Sequence, residues 1–105
     1  MYKVNLTDNA VEQLKNIIWY ISKVILEPET AKRLSKRIED EISSLDHMPY
    51  RYPLVTEEPW RTQGIRKTTV NNFIVYYWID DDNYTVWVTA VVYGRRDQIS
   101  ALRNM

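Results

Sequence analysis

Residues 64–97 read GIRKTTVNNFIVYYWIDDDNYTVWVTAVVYGRRD, and this stretch decides the fold. Three runs rich in Val, Ile, Thr and aromatic residues are separated by two turn signals, Asn71-Asn72 and Asp80-Asp81-Asp82-Asn83. Runs of this composition, broken by short Asn- and Asp-rich segments, are typical of antiparallel hairpins. The pattern predicts a three-stranded meander whose last strand runs into the cationic sequence Gly94-Arg95-Arg96.

The residues before the meander predict a short strand and two helices. Apolar and polar residues alternate from Tyr2 to Leu6, and Thr7 or Asp8 can then cap a helix by accepting its free first-turn amides. Glu27-Pro28 stops this helix and starts a second one, because proline suits a first helical turn but not an interior. Apolar residues at helical spacing mark the inner faces of the two helices: Val11, Leu14, Ile17, Ile18, Ile21 and Ile25, then Ala31, Leu34, Ile38, Ile42 and Leu45. Such a pair predicts an antiparallel helical hairpin.

Residues 46–63 lack periodicity and are punctuated by proline, which predicts an irregular connector. Long loops are often functional or packed by their own side chains, and we favour packing by the tyrosines and Trp60. The resulting order β-α-α-β-β-β predicts an α+β fold in one domain, residues 1–105. In this fold the helical hairpin packs on one face of a small antiparallel sheet. The first strand is expected inside the same sheet, and residues 97–102 are expected to add a helical turn.

Composition narrows the functional classes. The chain has no cysteine, which favours a reducing cytoplasm, and no run approaches the roughly 18 apolar residues of a membrane span. Its 14 basic and 14 acidic residues balance, so overall charge does not steer it toward nucleic acid. We expect no metal and no cofactor. The single histidine, His47, is interpreted as a helix-end cap beside Asp46, and the acidic cluster at residues 80–82 as a solvated hairpin tip.

Strand alternation predicts which side chains share a face of the sheet. Small and β-branched residues suit contact with the helices, which places Phe73, Val75, Tyr77 and Ile79 on that side with Val86, Val88, Ala90 and Val92. The opposite face is then aromatic, with Tyr76, Trp78, Trp87 and Tyr93, and is left partly open or covered by something else. If Ile65 faces the helical core, Arg66 and Thr68 join the aromatic face. Aromatic rings with arginines suit either single-stranded nucleic acid or a protein interface, and composition favours the protein interface.

The whole chain resembles the RelE/ParE superfamily of toxins from type II toxin–antitoxin modules. The similarity is carried by several loose motifs in a specific order: Ala31, Leu34 and Ile38; Met48-Pro49 and Tyr52-Pro53; Gly64-Ile65-Arg66-Lys67; residues 72–77; and Tyr93-Gly94-Arg95-Arg96-Asp97. The resemblance implies a small protein that arrests bacterial growth until a co-encoded antitoxin binds it. It also implies that Tyr76, Trp78, Trp87, Tyr93 and Arg95 contact the antitoxin or the target.

The superfamily resemblance leaves two mechanisms open. RelE-type members cut mRNA on the ribosome without a metal, whereas ParE-type members inhibit DNA gyrase. In RelE-type members an arginine after the last strand stabilises the phosphate, and the resemblance gives this role to Arg96. The basic residues of an earlier strand correspond to Lys67, or to Arg66. Tyr93 would replace a missing C-terminal aromatic, because Leu102 stands near that place, and Ile74 stands where an arginine is expected. Neutral charge and the long helical hairpin favour the ParE side. A non-toxic protein-binding module is the third alternative.

Overall fold

The computed structural model describes residues 1–94, so the expected helical turn at 97–102 lies outside the described residues. The main elements follow the predicted order: β1 (Lys3–Leu6), α1 (Asp8–Trp19), α2 (Pro28–Ser43), β2 (Arg66–Val70), β3 (Phe73–Asp80) and β4 (Thr85–Tyr93). A π-helical segment, Tyr20–Val24, extends α1 toward the turn before α2. Within residues 1–94 no helix is long and apolar enough to cross a membrane.

The four strands form one sheet in the order β1-β4-β3-β2. The meander β2-β3-β4 is antiparallel as predicted, and β1 joins the same sheet. However, β1 pairs with β4 in parallel, with Val4 opposite Val86, so the sheet is mixed rather than purely antiparallel. A parallel pair requires a long crossover, and the helical hairpin and the connector lie between these two strands in the chain.

The helical hairpin covers one face of the sheet, as predicted. Thr7 caps α1, since its Oγ1 accepts a hydrogen bond from the Ala10 amide at 3.2 Å. Leu14, Ile17 and Ile21 pack against a core that includes Leu34, Ile38 and Ile42 of α2. The hydrophobic core between hairpin and sheet therefore follows the helical periodicity of the sequence.

The connector covers the other face of the sheet. Val55 is fully buried and joins Ile65, Ile74, Tyr76 and Ala90 in a second core, with Trp60 packed against it. The prediction that the connector packs through its own side chains is confirmed for Trp60 and for Tyr52, which packs against the helical core, whereas Tyr50 is exposed. The predicted aromatic face is therefore covered in part by the connector, while Trp78 on the same face remains exposed.

A β-bulge changes the predicted faces at the end of β4. Tyr76 pairs with Ala90 but Tyr77 pairs with Val88, so Thr89 is the extra residue. Beyond it the alternation shifts by one position: Val91 joins the helical core, whereas Ala90 and Val92 belong to the second core. Tyr93 opposite Phe73 therefore lies on the helical side. The predicted sides of Ala90, Val92 and Tyr93 were wrong for this reason.

The assignment of β2 was also inverted. Arg66 pairs with Tyr77 and Thr68 with Val75, which places both on the helical side of the sheet. The hydroxyl of Thr68 donates to Glu41 Oε1 of α2 at 3.0 Å. Ile65 is buried as predicted, but in the second core, and each following residue consequently points to the opposite side from the one predicted.

Candidate functional site

Arg66, a predicted catalytic residue, fastens the connector to the sheet. Its Nη1 donates to the carbonyl oxygen of Tyr52 at 2.6 Å and lies 3.4 Å from that of Tyr50. The guanidinium also lies 4.9 Å from the centroid of the Tyr50 ring, within the range of a cation–π interaction. The guanidinium is thus engaged with the protein's own backbone and with an aromatic ring.

Lys67 lies on the opposite side of the same strand. It pairs with Tyr76, so its side chain shares a face with the second core rather than with Arg66. Its backbone amide donates to the Pro53 carbonyl at 3.2 Å, which continues the attachment of the connector to β2. The side chains of Arg66 and Lys67 therefore point to opposite faces of the sheet and do not line one concave site.

Tyr93 lies at the far end of the sheet from Arg66. It is opposite Phe73, whereas Arg66 is opposite Tyr77, four positions along β3. At about 3.3 Å per residue this separates the two by roughly 13 Å along the sheet. The Tyr93 ring packs edge-on against Phe73, with centroids 5.6 Å apart. Arg95 and Arg96 lie outside the described residues.

The aromatic residues predicted to bind an antitoxin or a target are distributed over both faces. Tyr76 is 1% exposed, and this burial raises the pKa of its hydroxyl to about 12. Trp78 and Trp87 are cross-strand neighbours on the connector side, where Trp78 remains 38% exposed. Tyr93 is on the helical side. The described aromatic residues of this set therefore do not form one surface.

Exposed apolar side chains are concentrated at the end of the helical hairpin, where the sequence pattern predicts only core contacts. Trp19 is 61% exposed and Leu26 75%, and Tyr20, Val24 and Ile25 beside them are also exposed. A groove of about 480 Å³, here called the apolar groove, opens between this region and the sheet. Its walls are formed by Asn16, Ile17, Tyr20, Ile21, Ile25, Phe73 and Tyr93.

The sequence did carry a signal for this surface. Eight of the ten residues 17–26, IIWYISKVIL, are apolar. A helix that buries one face needs only three or four apolar residues in two turns, so the surplus must face outward or a partner. We had interpreted the run only as a core stripe.

The acidic hairpin tip is a hydrogen-bonding centre. Asp81 accepts hydrogen bonds from the hydroxyls of Tyr50 and Tyr2, the latter at 2.7 Å, and these bonds hold the pKa of its carboxyl below the ordinary value. The bond to Asp81 raises the pKa of the Tyr2 hydroxyl to about 12. Within residues 1–94 no cluster of three or more His, Cys, Asp or Glu residues is arranged to hold a metal ion.

His47 occupies an exposed position at the end of the hairpin. Its Nδ1 lies 2.6 Å from Asp46 Oδ1, at the C-terminal end of the short helical turn that follows α2. The backbone amide of His47 donates to the Ser44 carbonyl at 3.2 Å. This hydrogen bond places His47 at the C-terminal cap of the turn, as predicted.

The sequence of this chain matches a known protein family over most of its length. A sequence profile described as "ParE toxin of type II toxin-antitoxin system, parDE" matches residues 4–98. The chain belongs to the ParE toxin family. The matched range begins inside β1 and includes the helical hairpin, the connector and the whole meander. A search of curated protein sequences finds no match.

Solved structures share the ParE-family fold of this chain. A chromosomal ParDE system from P. aeruginosa matches with a TM-score of 0.71 and 18% identity, covering 89% of this chain and 96% of that one. The RelBE2 complex from Mycobacterium tuberculosis gives a TM-score of 0.62 at 20% identity, with coverages of 88% and 96%. The isolated E. coli RelE toxin gives 0.61 at 11% identity, with coverages of 99% and 96%. The helical hairpin on a four-stranded sheet is therefore an architecture shared with both ParE and RelE toxins.

Proposed function

We propose that this ParE-family chain is the toxin of a type II toxin–antitoxin pair and that it acts by inhibiting DNA gyrase. The observation that carries the choice of target is the placement of the predicted catalytic residues. Arg66 is bound to the Tyr52 carbonyl, Lys67 lies on the other side of the strand, and Tyr93 is roughly 13 Å away along the sheet. General acid–base cleavage of RNA requires groups within hydrogen-bonding reach of one scissile linkage.

Charge supports the same choice. The chain carries no net charge at pH 7, whereas affinity for an RNA surface such as the ribosome rises with the number of phosphates that basic side chains neutralise. A protein target such as gyrase is recognised through apolar and aromatic contacts, which the exposed residues of the helical hairpin provide.

The same region supports the proposal of an antitoxin partner. Contiguous exposed apolar surface at the end of the helical hairpin is of the kind that soluble proteins cover by association. Two of the similar structures are toxin–antitoxin complexes, ParDE and RelBE2. The occupant that we propose for the apolar groove is an amphipathic segment of the co-encoded antitoxin, with its apolar residues against Ile17, Ile21 and Phe73.

Purified protein tests the choice of target. In a supercoiling reaction with gyrase, the proposal predicts inhibition that increases with the concentration of the toxin and disappears when antitoxin is added. In parallel, ribosomes programmed with a defined mRNA are incubated with the protein and the RNA ends are mapped. Cuts in the A-site codon together with unaffected supercoiling would overturn the gyrase assignment in favour of an mRNA endonuclease.

Antitoxin docking is tested with single substitutions. Ile25→Asp places a charge in the apolar groove and is expected to weaken antitoxin binding by about tenfold or more, measured by calorimetry. Tyr84→Asp is the control, because Tyr84 is also exposed but lies at the β3–β4 turn, where aspartate tolerates its positive φ of 47°. Equal affinities of the two variants would contradict docking in the groove.

A further inference from the structure

A second groove lies beside the apolar groove, and it adds basic and polar groups to walls that also contain Ile21, Leu34 and Phe73. It encloses about 410 Å³ between α2 and the β2–β3 turn. The polar groups that face it come from Thr30, Arg33, Arg37, Asn71, Asn72 and Tyr93, and this set is called the basic groove below.

The two arginines of the basic groove are held by neutral partners. Arg37 Nη1 donates to Asn71 Oδ1 at 3.0 Å, and Arg33 Nη2 donates to Thr30 Oγ1 at 3.3 Å. Neither guanidinium forms an ion pair with a carboxylate within residues 1–94, in contrast to Lys36, which lies 3.1 Å from Asp40. The arginines are four residues apart, so they lie on the same side of α2 about 6 Å apart along its axis. Their positive charge is therefore available to an external anion.

Tyr93 adds an aromatic ring to the basic groove, and Asn71 and Asn72 add amide groups. The Tyr93 ring is 45% exposed and its orientation is fixed by edge-on contact with Phe73. Asn71 and Asn72 are exposed beside it and carry amide groups, which both donate and accept hydrogen bonds. Aromatic rings stack on nucleobases, guanidinium groups bind phosphates, and amides pair with base edges.

We infer that the basic groove binds single-stranded nucleic acid, with phosphates on Arg33 and Arg37 and a base on Tyr93. A nucleotide would use all three kinds of group at once, because its phosphate binds the arginines, its base stacks on the ring and its base edge pairs with the two amides. The cationic surface continues along α2 through Lys32 and Lys36, which would guide a longer strand. This inference is independent of the choice of gyrase as the target of the toxin.

The close approach of β4 to the β2–β3 turn fixes the wall of the groove. The Gly94 amide donates to the Asn72 carbonyl at 2.6 Å, and a Cβ at Gly94 would lie only 2.9 Å from that oxygen. Glycine is therefore required at the position where the chain leaves the sheet. Arg95 and Arg96 come directly after it in the sequence.

Fluorescence anisotropy with labelled 12-nucleotide probes tests the inference on the full chain. Oligo(dT) and oligo(U) distinguish DNA from RNA. The double variant Arg33→Gln/Arg37→Gln is expected to bind at least about tenfold more weakly. The slope of log K against log salt concentration is expected to become shallower by about 1.4, which is about 0.7 for each lost phosphate contact. Lys32→Gln/Lys36→Gln removes the same charge outside the basic groove and is expected to lose less. Equal losses in the two double variants would overturn the site, since the helix would then act only as a diffuse cationic surface.

A third variant separates stacking from phosphate binding. Tyr93→Leu is expected to weaken binding of oligo(dT) about tenfold while leaving an abasic strand of equal length unaffected. A loss that is equal for both strands, or absent for both, would contradict the role of Tyr93. Poly-glutamate that binds as tightly as the oligonucleotides would overturn the inference in favour of an acidic protein partner. Circular dichroism and thermal unfolding confirm that each variant is folded.

Discussion

Tyr76 and Tyr77 are neighbouring residues whose ionisation reports on the two cores. Burial raises the pKa of each hydroxyl from 10.0 to about 12. Because the folded chain holds these protons more tightly than the unfolded chain, their contribution to the free energy of unfolding is complete below pH 10 and is lost as the pH rises toward about 12. In an alkaline titration we expect the absorbance of tyrosinate to rise in two phases, with Tyr76 and Tyr77 ionising in the phase at higher pH. We also expect the protein to unfold at a lower urea concentration at about pH 11 than at about pH 9. A single phase near pH 10 for all eight tyrosines would contradict this.

Arg66 and Lys67 are adjacent residues with different expected roles in stability. Arg66→Met removes the hydrogen bond to the Tyr52 carbonyl of the connector, and we expect it to lower the free energy of unfolding by about 1–3 kcal/mol. Lys67→Met is the matched control and is expected to change it by no more than about 0.5 kcal/mol. Chemical denaturation of both variants measures the difference. Similar values for the two would mean that Arg66 does not hold the connector.

At the scale of elements, α1 and β4 are joined through the bulge at Thr89. Asn9 Nδ2 donates to the Thr89 carbonyl at 3.0 Å, and the Val91 amide donates to Gln13 Oε1 at 2.9 Å. The extra residue interrupts the regular pairing of β3 and β4, and side chains of α1 bind backbone groups beside the interruption. The bulge is therefore part of the contact between helix and sheet.

The Gln13 contact predicts a specific loss of stability. Gln13→Leu keeps the helix but leaves the Val91 amide without this acceptor, and we expect the free energy of unfolding to fall by about 1–3 kcal/mol. Glu12→Leu is the control on the exposed side of the same helix. Hydrogen exchange of the Val91 amide should be faster in Gln13→Leu alone. Unchanged exchange and stability would show that the bulge does not need α1.

The elements themselves could be predicted because their signals are local. Thr7, Pro28 and the apolar spacing of α2 fix the helices, and the Asn71-Asn72 turn fixes the first hairpin. The faces of Tyr93 and Arg66 could not be predicted, because one extra residue at Thr89 and the burial of Ile65 in a second core invert the alternation. Both features depend on contacts between segments that are distant in the sequence.

At the scale of the whole molecule, the layers determine which surface is free. The connector is not periodic, so its sequence gives no signal that Val55 would be buried against the aromatic side of the sheet. The surplus of apolar residues at 17–26 is visible in the sequence. Whether these side chains are buried or exposed depends on how much of the helical hairpin the sheet covers, and the end of the hairpin is left uncovered. The candidate site therefore lies at the end of the helical hairpin rather than on the aromatic face.

The proposal of gyrase inhibition is tested most directly by following DNA and RNA in one bacterial culture. The chain is induced without its antitoxin, plasmid topology is measured on gels, and mRNA 5′ ends are mapped from the same samples. We predict loss of negative supercoiling or gyrase-linked DNA breaks at the onset of growth arrest, with no new mRNA ends. Normal plasmid topology together with new ends inside ribosomal A-site codons would contradict the account and identify an mRNA endonuclease.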